Sequence, residues 1–595
     1  MRPAFLQLAL ILALGLRLAI PAHGKEAPPA FASNPPASIT ATAAPSDRRL
    51  TGEQLASRFL NQATFGATPE EITALSASLA AKGDAAFSDW IDAQFQKPVS
   101  EKDLALPTFR AAFPPDYPKS GYREHTHEGG ALRASLMIRD NDHPLRRRVA
   151  YALSQIFVVC EEGGLFGSPE GMCDWSDLLF QNAFTDFLTL LKAVTYHPVM
   201  ASYLSLNGNA KAGYYNPGSR PDENYAREVM QLFTIGLVRL NPDGSYVTDA
   251  AGRTIPTYDQ TTITEMARVF TGLNYPAGTV EYTTLRDGKR QRLTREGNVR
   301  FGACVTKEKK HDTEAKSFLG ASLPAGQDTK KDIDDTLQIL ASHPNTAPFI
   351  SKALIQRLTT SNPSPAYVKR VAETFAAGQG EMKAVVRAIL LDEEARDPRN
   401  VNNDQFGKLR EPWLRVTQLA RAFRAQPAEK QPWFPVYARD LLPKLGQFPF
   451  WAPSVFNFYL PSFQPAGAVA ERNARIPDNA VPIVAPEFQI MNSNTALLLP
   501  NYLMDCLEAQ KVSNKPKRPI VLDLNPQANL AQNAGELVAN VDILLTSGTM
   551  SPGTRQVITE AVEALTPAAD PKVRRERAKM AIYLTLVSPD YAIQR

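Results

Sequence analysis

The sequence predicts a mainly α-helical fold: a large multi-helix body with small β-hairpin excursions near 237–310. Three observations carry this reading. Apolar residues recur at helical spacing through most of the chain. Capping signals open these stretches, as where Thr51 is followed by Gln54, or Thr68 by Pro69 and Glu71. Hydrophobic residues make up 44% of the 595, enough to cover many helix faces from within.

Leu55, Phe59 and Leu60 form the apolar stripe of the first helix, with Gly66 as its stop. Thr68 opens the second, and Phe87, Trp90, Ile91 and Phe95 mark a third. Pro144 to Cys160 carries Leu145, Val149, Leu153 and Ile156 at helical spacing. Trp175 to His197 reads as one long apolar helix ended by Pro198. Asp222 is the expected cap of a helix whose inner face is Ala226, Val229, Met230 and Phe233. Ile263, Met266, Ala267 and Phe270 define another, stopped at Gly272. Further helices are expected near 331–342, 346–359, 365–377, 381–394, 405–424, 486–510, 527–546, 555–565 and 572–587. Between Leu237 and Lys310 the helical period lapses, and Asp243-Gly244 and Asp287-Gly288 read as hairpin turns. The stretch near 447–485 is rich in Pro and aromatics and reads as a long irregular loop. Residues 49–595 are thus expected to form one large helical domain, or two helical lobes.

The N-terminus has a different character. Arg2 precedes a Leu/Ala-rich run from Ala4 to Ile20, and Ala22-His23-Gly24 places small residues where a signal peptidase cuts. Residues 1–24 therefore read as an export signal, and the protein is expected to be periplasmic or extracellular. Arg17 interrupts the run, which falls short of the ~20 apolar residues of a membrane span, so no stable anchor is expected. Residues 25–48, rich in Pro, Ala, Ser and Thr, read as a flexible leader. The formal charge is +4; removing the signal takes away Arg2 and Arg17 and no acid. So balanced a chain gives no basis for nucleic-acid binding.

Phosphate-binding, zincin, nucleophile-elbow and dinucleotide motifs are all absent. The densest polar phrase is Pro221-Asp-Glu-Asn-Tyr-Ala-Arg-Glu228. On a helix, Glu223 and Arg227 are one turn apart, as are Asn224 and Glu228. The phrase can place one carboxylate against Arg227 beside a second, as acid/base work requires, or it can lock helices together by ion pairs. Arg146-Arg147-Arg148 opens a helix, where cations oppose the macrodipole. Carboxylates from the Glu223 helix could offset that, or an anionic ligand could bind there. His125 and His127, flanked by Glu124 and Glu128, form a candidate site for a divalent metal, or a solvated polar loop. No other cofactor is expected. Four cysteines allow three pairings. Cys160 and Cys173 flank a Gly-rich loop that a disulfide would stabilise by ~3 kcal/mol through chain entropy; the alternative is four buried thiols.

Several phrases together resemble a known family. They are Arg58-Phe-Leu-Asn-Gln-Ala-Thr-Phe-Gly66, Trp90-Ile-Asp-Ala-Gln-Phe95, Arg148-Val-Ala-Tyr-Ala-Leu-Ser-Gln-Ile-Phe157, Glu223-Asn-Tyr-Ala-Arg-Glu228, His311-Asp-Thr-Glu-Ala-Lys316 with Phe318-Leu-Gly320, His343-Pro-Asn-Thr-Ala347 and Phe456-Asn-Phe-Tyr459. From about residue 50 to the end, the chain is similar to the bacterial family called domain of unknown function 1800. The resemblance implies an exported helical protein with no general assigned activity, often encoded beside a sulfatase-like exported protein. Its motif residues fall on Glu223, Asn224, Arg227, Glu228, His311, Asp312 and Lys316. Phe233 stands where the family often has a His, which weakens any mechanism needing an imidazole there.

The leading expectation is an envelope or secreted binding and assembly protein, engaging a sulfatase-like partner, an extracellular polymer or an anionic ligand. The alternative is a hydrolase or lyase acting on an extracellular polymer. There Glu228 would be the acid/base, Glu223 and Arg227 would position the substrate with Asn224 beside them, and Lys316 would stabilise charge, with His311 or Asp312 assisting. His125 and His127 could add a metal to that scheme.

Overall fold

In the computed structural model, many helices begin where a capping side chain or a proline releases the chain from the previous one. It describes residues 50–113, 122–139, 141–276, 282–284, 290–292, 300–427, 433–476, 481–508 and 520–595, with the main chain alone at 122–125, 282–284 and 290–292. The signal and leader segments, 1–24 and 25–48, lie outside these residues. The described residues form 25 α-helices and four two-stranded antiparallel ribbons. No described helix is long and apolar enough to cross a membrane.

Both expected N-terminal capping boxes are present. Thr51 caps Gly52–Ala63 and Thr68 caps Pro69–Lys82, each with a reciprocal bond from the third helical residue. Gly66 serves close approach rather than termination, since the helix already ends at Ala63. Its φ is +125°, and a Cβ there would lie 2.6 Å from the Cα of Gln418.

The expected long helices are shorter than the periodicity implied. Trp175–His197 is not one helix. Pro169–Gln181 passes into a 3-10 turn, Asn182–Phe184, and Asp186 then caps Phe187–Tyr196 by accepting a bond from the Thr189 amide at 2.8 Å. His197 starts the next helix, its Nδ1 accepting from the Val199 amide. Asn492 and Asn533 likewise restart the chain inside stretches expected to be continuous. In each case a local side-chain cap competes with the apolar period and wins.

The first β excursion is a set of bridges, Val238 with Pro256, Leu240 with Tyr246 and Thr248 with Thr254, around the Asp243-Gly244 turn. In the second, Tyr282–Thr284 pairs with Arg290–Arg292, and the turn at Asp287-Gly288 lies outside the described residues. Leu273–Asn274 pairs with Val305–Thr306, and Lys316–Phe318 with Ala321–Leu323.

The two ends of the body meet. Gly52–Ala63 packs on Ala534–Thr546, where Ser57 donates to the Ile543 carbonyl at 2.7 Å. Lys408–Leu409 pairs with Ile593–Gln594. One continuous apolar core runs from Ala56 to Tyr591, with a small satellite around Phe109, Leu132, Cys173 and Trp433.

Candidate functional site

The polar phrase of residues 221–228 begins a short helix, Asn224–Gln231. Asp222 precedes the helix as an Asx cap, accepting from the Asn224 amide at 2.8 Å. The Asn209 side chain clamps Asp222 in turn, accepting from its amide at 2.8 Å. Tyr225, Ala226, Val229 and Met230 are buried, which turns Glu223, Asn224 and Arg227 outward. Glu223 accepts from Gln260 Nε2 at 3.2 and 3.0 Å, from Thr264 at 3.3 Å and from Arg227 at 3.3 Å. That ion pair is exposed and contributes little to stability.

Glu228 is different. It is half-buried, and its Oε2 is shielded from solvent without a hydrogen-bond partner among the described residues. Burial raises its pKa above the ordinary value of 4.5, against the pull of Arg227. The Tyr258 hydroxyl is also buried and unpartnered. Burial pushes the hydroxyls of Tyr203 and Tyr258 up to about 12, and the Glu228 charge acts on both in the same direction. Glu228 Oε2 and the Tyr258 hydroxyl each lack a partner among the described residues, and the Glu228 charge is felt at Tyr258.

A carboxyl whose folded pKa is raised stays protonated longer in the folded than in the unfolded protein. Glu228 therefore weakens folding increasingly as the pH rises from its ordinary value through its folded one. Glu228→Gln is expected to raise the melting temperature relative to wild type at about pH 7.5 and leave it unchanged at about pH 4, read by thermal shift. An equal or lower melting temperature near pH 7.5 would show that the ionised carboxylate is accommodated.

His311, Asp312 and Lys316 do not join this site. His311 is wholly buried; its Nδ1 pairs with Thr271 at 3.0–3.1 Å and its Nε2 with Asp332 at 3.1 Å. Lys316 Nζ donates to Asp332 at 2.6 Å and to the carbonyls of Asp312 and Glu314 at 2.5 and 2.9 Å. Asp312 receives both ends of the Arg268 guanidinium at 2.9 and 3.0 Å. Gln260–Val269 stands between the two clusters: Gln260 and Thr264 serve Glu223, whereas Glu265 and Arg268 serve the other side. The expected seven-residue set is thus divided into a surface face, one half-buried acid and an interred ion-pair network.

The arginine triplet also departs from expectation. Arg146, Arg147 and Arg148 are all buried, so they offer no surface anion site, and they do not pair with the Glu223 helix. Arg146 lies over Phe184 at 4.4 Å, and Arg147 over Phe180 at 3.8 Å while donating to the Asp103 carbonyl. Arg148 donates to the Arg357 carbonyl at 2.5 Å and faces Glu411. Arg146 and Arg147 thus lie against aromatic faces and main-chain carbonyls, whereas Arg148 faces the Glu411 carboxylate.

Glu411 heads a cluster that the residue patterns did not single out. It is fully buried and accepts from Tyr151, Gln155, Gln447 and Tyr459 at 2.6–3.0 Å. Lys408 lies 3.5 Å from Glu411 and 3.1 Å from Glu487. Burial pushes the Glu411 carboxyl up, but Lys408, Arg148 and the hydrogen-bond donors outweigh it and hold its pKa below the ordinary value. Glu487 goes the other way, raised by burial and by the nearby Glu411 against the pull of Lys408. The available signal was spacing: Arg148, Tyr151 and Gln155 share one helix face, as i, i+3 and i+7.

The expected metal and disulfide sites find these surroundings. His125 lies where only the main chain is described. His127 is half-buried between Phe166 and Tyr437, with Nδ1 unpartnered among the described residues. Burial first, then Arg439, lower its pKa. Glu128 is taken by Trp433 and Tyr437, at 2.9 and 2.8 Å. Among the described residues no three His, Cys, Asp or Glu side chains gather to hold a metal. Cys160 and Cys173 are not joined, and none of the four cysteines is in a disulfide. Cys173 is held in the core 3.9 Å from Arg133, while Cys160 bridges to the Trp451 strand segment.

The family model described as protein of unknown function, DUF1800, matches residues 58–593. The chain belongs to this family. No curated protein and no solved structure matches it. The DUF1800 phrases sort by burial. The Arg148–Phe157 and Phe456–Tyr459 phrases converge on Glu411, and His311–Lys316 converges on Asp332. Within Glu223–Glu228, Asn224 is exposed and Glu223, Arg227 and Glu228 are half-buried.

Proposed function

We propose that this DUF1800 protein is exported and binds an extracellular polymer through the surface around Asn224–Gln231, in the manner of an envelope binding or assembly protein. One observation carries the reading. Glu223, Asn224 and Arg227 are displayed outward, while the His, Asp and Lys that could have completed an acid/base set are locked in ion pairs elsewhere. A surface so arranged offers donors and acceptors to a hydroxyl-rich ligand. A sulfatase-like exported partner fits the same reading as the protein with which it would assemble.

The test is co-sedimentation of the purified protein with insoluble envelope polysaccharide. Binding is expected, with Arg227→Ala weakening it several-fold at unchanged melting temperature. Failure to bind any envelope polymer would end this reading.

A second reading rests on Glu228. A half-buried carboxyl with a raised pKa beside an unpartnered tyrosine hydroxyl is poised to donate a proton to a leaving group, as a hydrolase or lyase acting on such a polymer needs. Polymer breakdown that Glu228→Gln abolishes, with folding retained, would support this reading; no breakdown by the wild-type protein would remove it.

A further inference from the structure

Beside the Glu223 face, three chain segments are laced together by main-chain hydrogen bonds. The Gly208 amide donates to the Leu273 carbonyl at 2.8 Å, and Gly272 donates to Asn209 at 2.9 Å. Lys307 donates to Gly272 and Lys211 donates to Lys310, both at 2.7 Å. This floor carries two neighbouring aromatic rings that face water. Tyr214 is 40% and Tyr215 61% exposed, and the rings meet edge-to-face with centroids 5.0 Å apart. Tyr215 is fixed by donating its hydroxyl to the Gly208 carbonyl at 2.7 Å. Lys310 Nζ, held by Asn274 at 3.0 Å, lies 5.5 Å from the Tyr215 ring and 6.0 Å from that of Tyr214.

The charge here is one-sided. Lys211, Lys307, Lys309 and Lys310 stand on these segments, and Glu308 is the sole carboxylate within 205–215, 271–275 and 305–310. Glu308 is already engaged, accepting from the Thr329 amide at 3.0 Å. None of the four lysines has a carboxylate at ion-pair distance among the described residues. Elsewhere on the surface lysines pair readily, as Lys330 and Lys331 do with Asp334 and Asp335. Fixed aromatic faces beside unpaired cations suit a ligand with apolar ring faces and regularly spaced negative charges.

We propose that Tyr214, Tyr215 and the surrounding lysines form a platform for an anionic polysaccharide. Sugar rings lay their C–H faces on the tyrosines, and carboxylate or sulfate groups meet the ammonium groups. This rests on the polymer-binding reading and names the class of polymer. The platform adjoins the Glu223 face through Asn209, which holds Asp222 on one side and Gly272 on the other, so one chain of sugars can cover both.

The experiment is affinity electrophoresis of the full chain in gels containing polygalacturonate, dextran sulfate or neutral dextran, with polyphosphate and a single-stranded oligonucleotide as competitors. Retardation by at least one of the two anionic polymers is expected, and which one distinguishes carboxylate from sulfate. Retardation should weaken at least tenfold in Tyr214→Ala/Tyr215→Ala and in Lys309→Glu, and fall with added salt. Lys309 is exposed and makes no side-chain bond among the described residues, so its variant keeps the test open if the tyrosine variant fails to fold. Anionic polymer bound equally by wild type and variants would overturn the platform but leave polymer binding standing. Binding to neutral dextran alone would overturn the anionic assignment. Displacement by polyphosphate or oligonucleotide at matched charge would overturn the sugar assignment. Binding to no polymer would remove the underlying reading as well.

Discussion

Asp332→Ala is expected to cost ~3–5 kcal/mol of folding stability, the range for breaking a buried ion pair from one side. Asp332 is fully buried and is the shared partner of His311 at 3.1 Å and Lys316 at 2.6 Å. Without it, the Lys316 ammonium keeps two carbonyls and the distant Asp312 carboxylate at 4.0 Å, in a site with almost no water contact. Asp332→Asn keeps the volume and loses the charge, so its cost should be smaller. Asp332→Ala combined with Lys316→Met should recover part of the loss, because the orphaned cation goes with its partner. Denaturant midpoints for the four proteins check this. An unchanged midpoint in Asp332→Ala would show that the network does not hold the fold, and would return His311 and Lys316 to the list of functional groups.

The class of fold was legible because its signals are local. Thr51 and Thr68 cap helices wherever they stand in the fold, and the apolar stripe from Ala226 to Phe233 faces inward whatever it packs against. Helix lengths were less legible, because Asp186, Asn492 and Asn533 act on only one or two amides each and leave the hydrophobic period undisturbed. Two-residue strands such as Lys408–Leu409 have no period to read; their pairing with Ile593–Gln594 is set by the whole chain. The site divided along the same line. Glu223 and Arg227 meet because four residues make one helical turn. The separation of His311 from Glu228 depends on where Gln260–Val269 lies, and that is tertiary. The arginine triplet misled because its surroundings are aromatic rings, carbonyls and, for Arg148, the Glu411 carboxylate from a distant part of the chain, none of which the local charge pattern reveals. The setting of Cys173 follows likewise from packing: it faces Arg133, a neighbour forty residues away in the sequence.

Glu411→Ala should be at least as damaging as Asp332→Ala, because it strips a counter-charge from two cations at once. Lys408 and Arg148 both bear on Glu411, and both are fully buried. The substitution would also leave the donors of Tyr151, Gln155, Gln447 and Tyr459 without their acceptor. Each such orphan costs ~1–3 kcal/mol, though the four share one site and will not add. We therefore expect Glu411→Ala not to accumulate as folded protein, and Glu411→Gln to fold with a lowered denaturant midpoint. The pH dependence separates Glu411 from Glu487. A depressed folded pKa gives Glu411 a stabilising contribution that is present above the ordinary carboxylate value and lost as the pH falls through the folded one. The raised pKa of Glu487 works in the opposite sense, weakening folding as the pH rises. Glu411→Gln should therefore lose most stability relative to wild type at neutral pH and little in acid, whereas Glu487→Gln should gain relative to wild type as the pH rises. If Glu411→Gln matched wild type at neutral pH, the charge on Glu411 would be dispensable. The cluster would then be held by its hydrogen bonds, with Lys408 served by Glu487 and the carbonyls of Gln356 and Arg357.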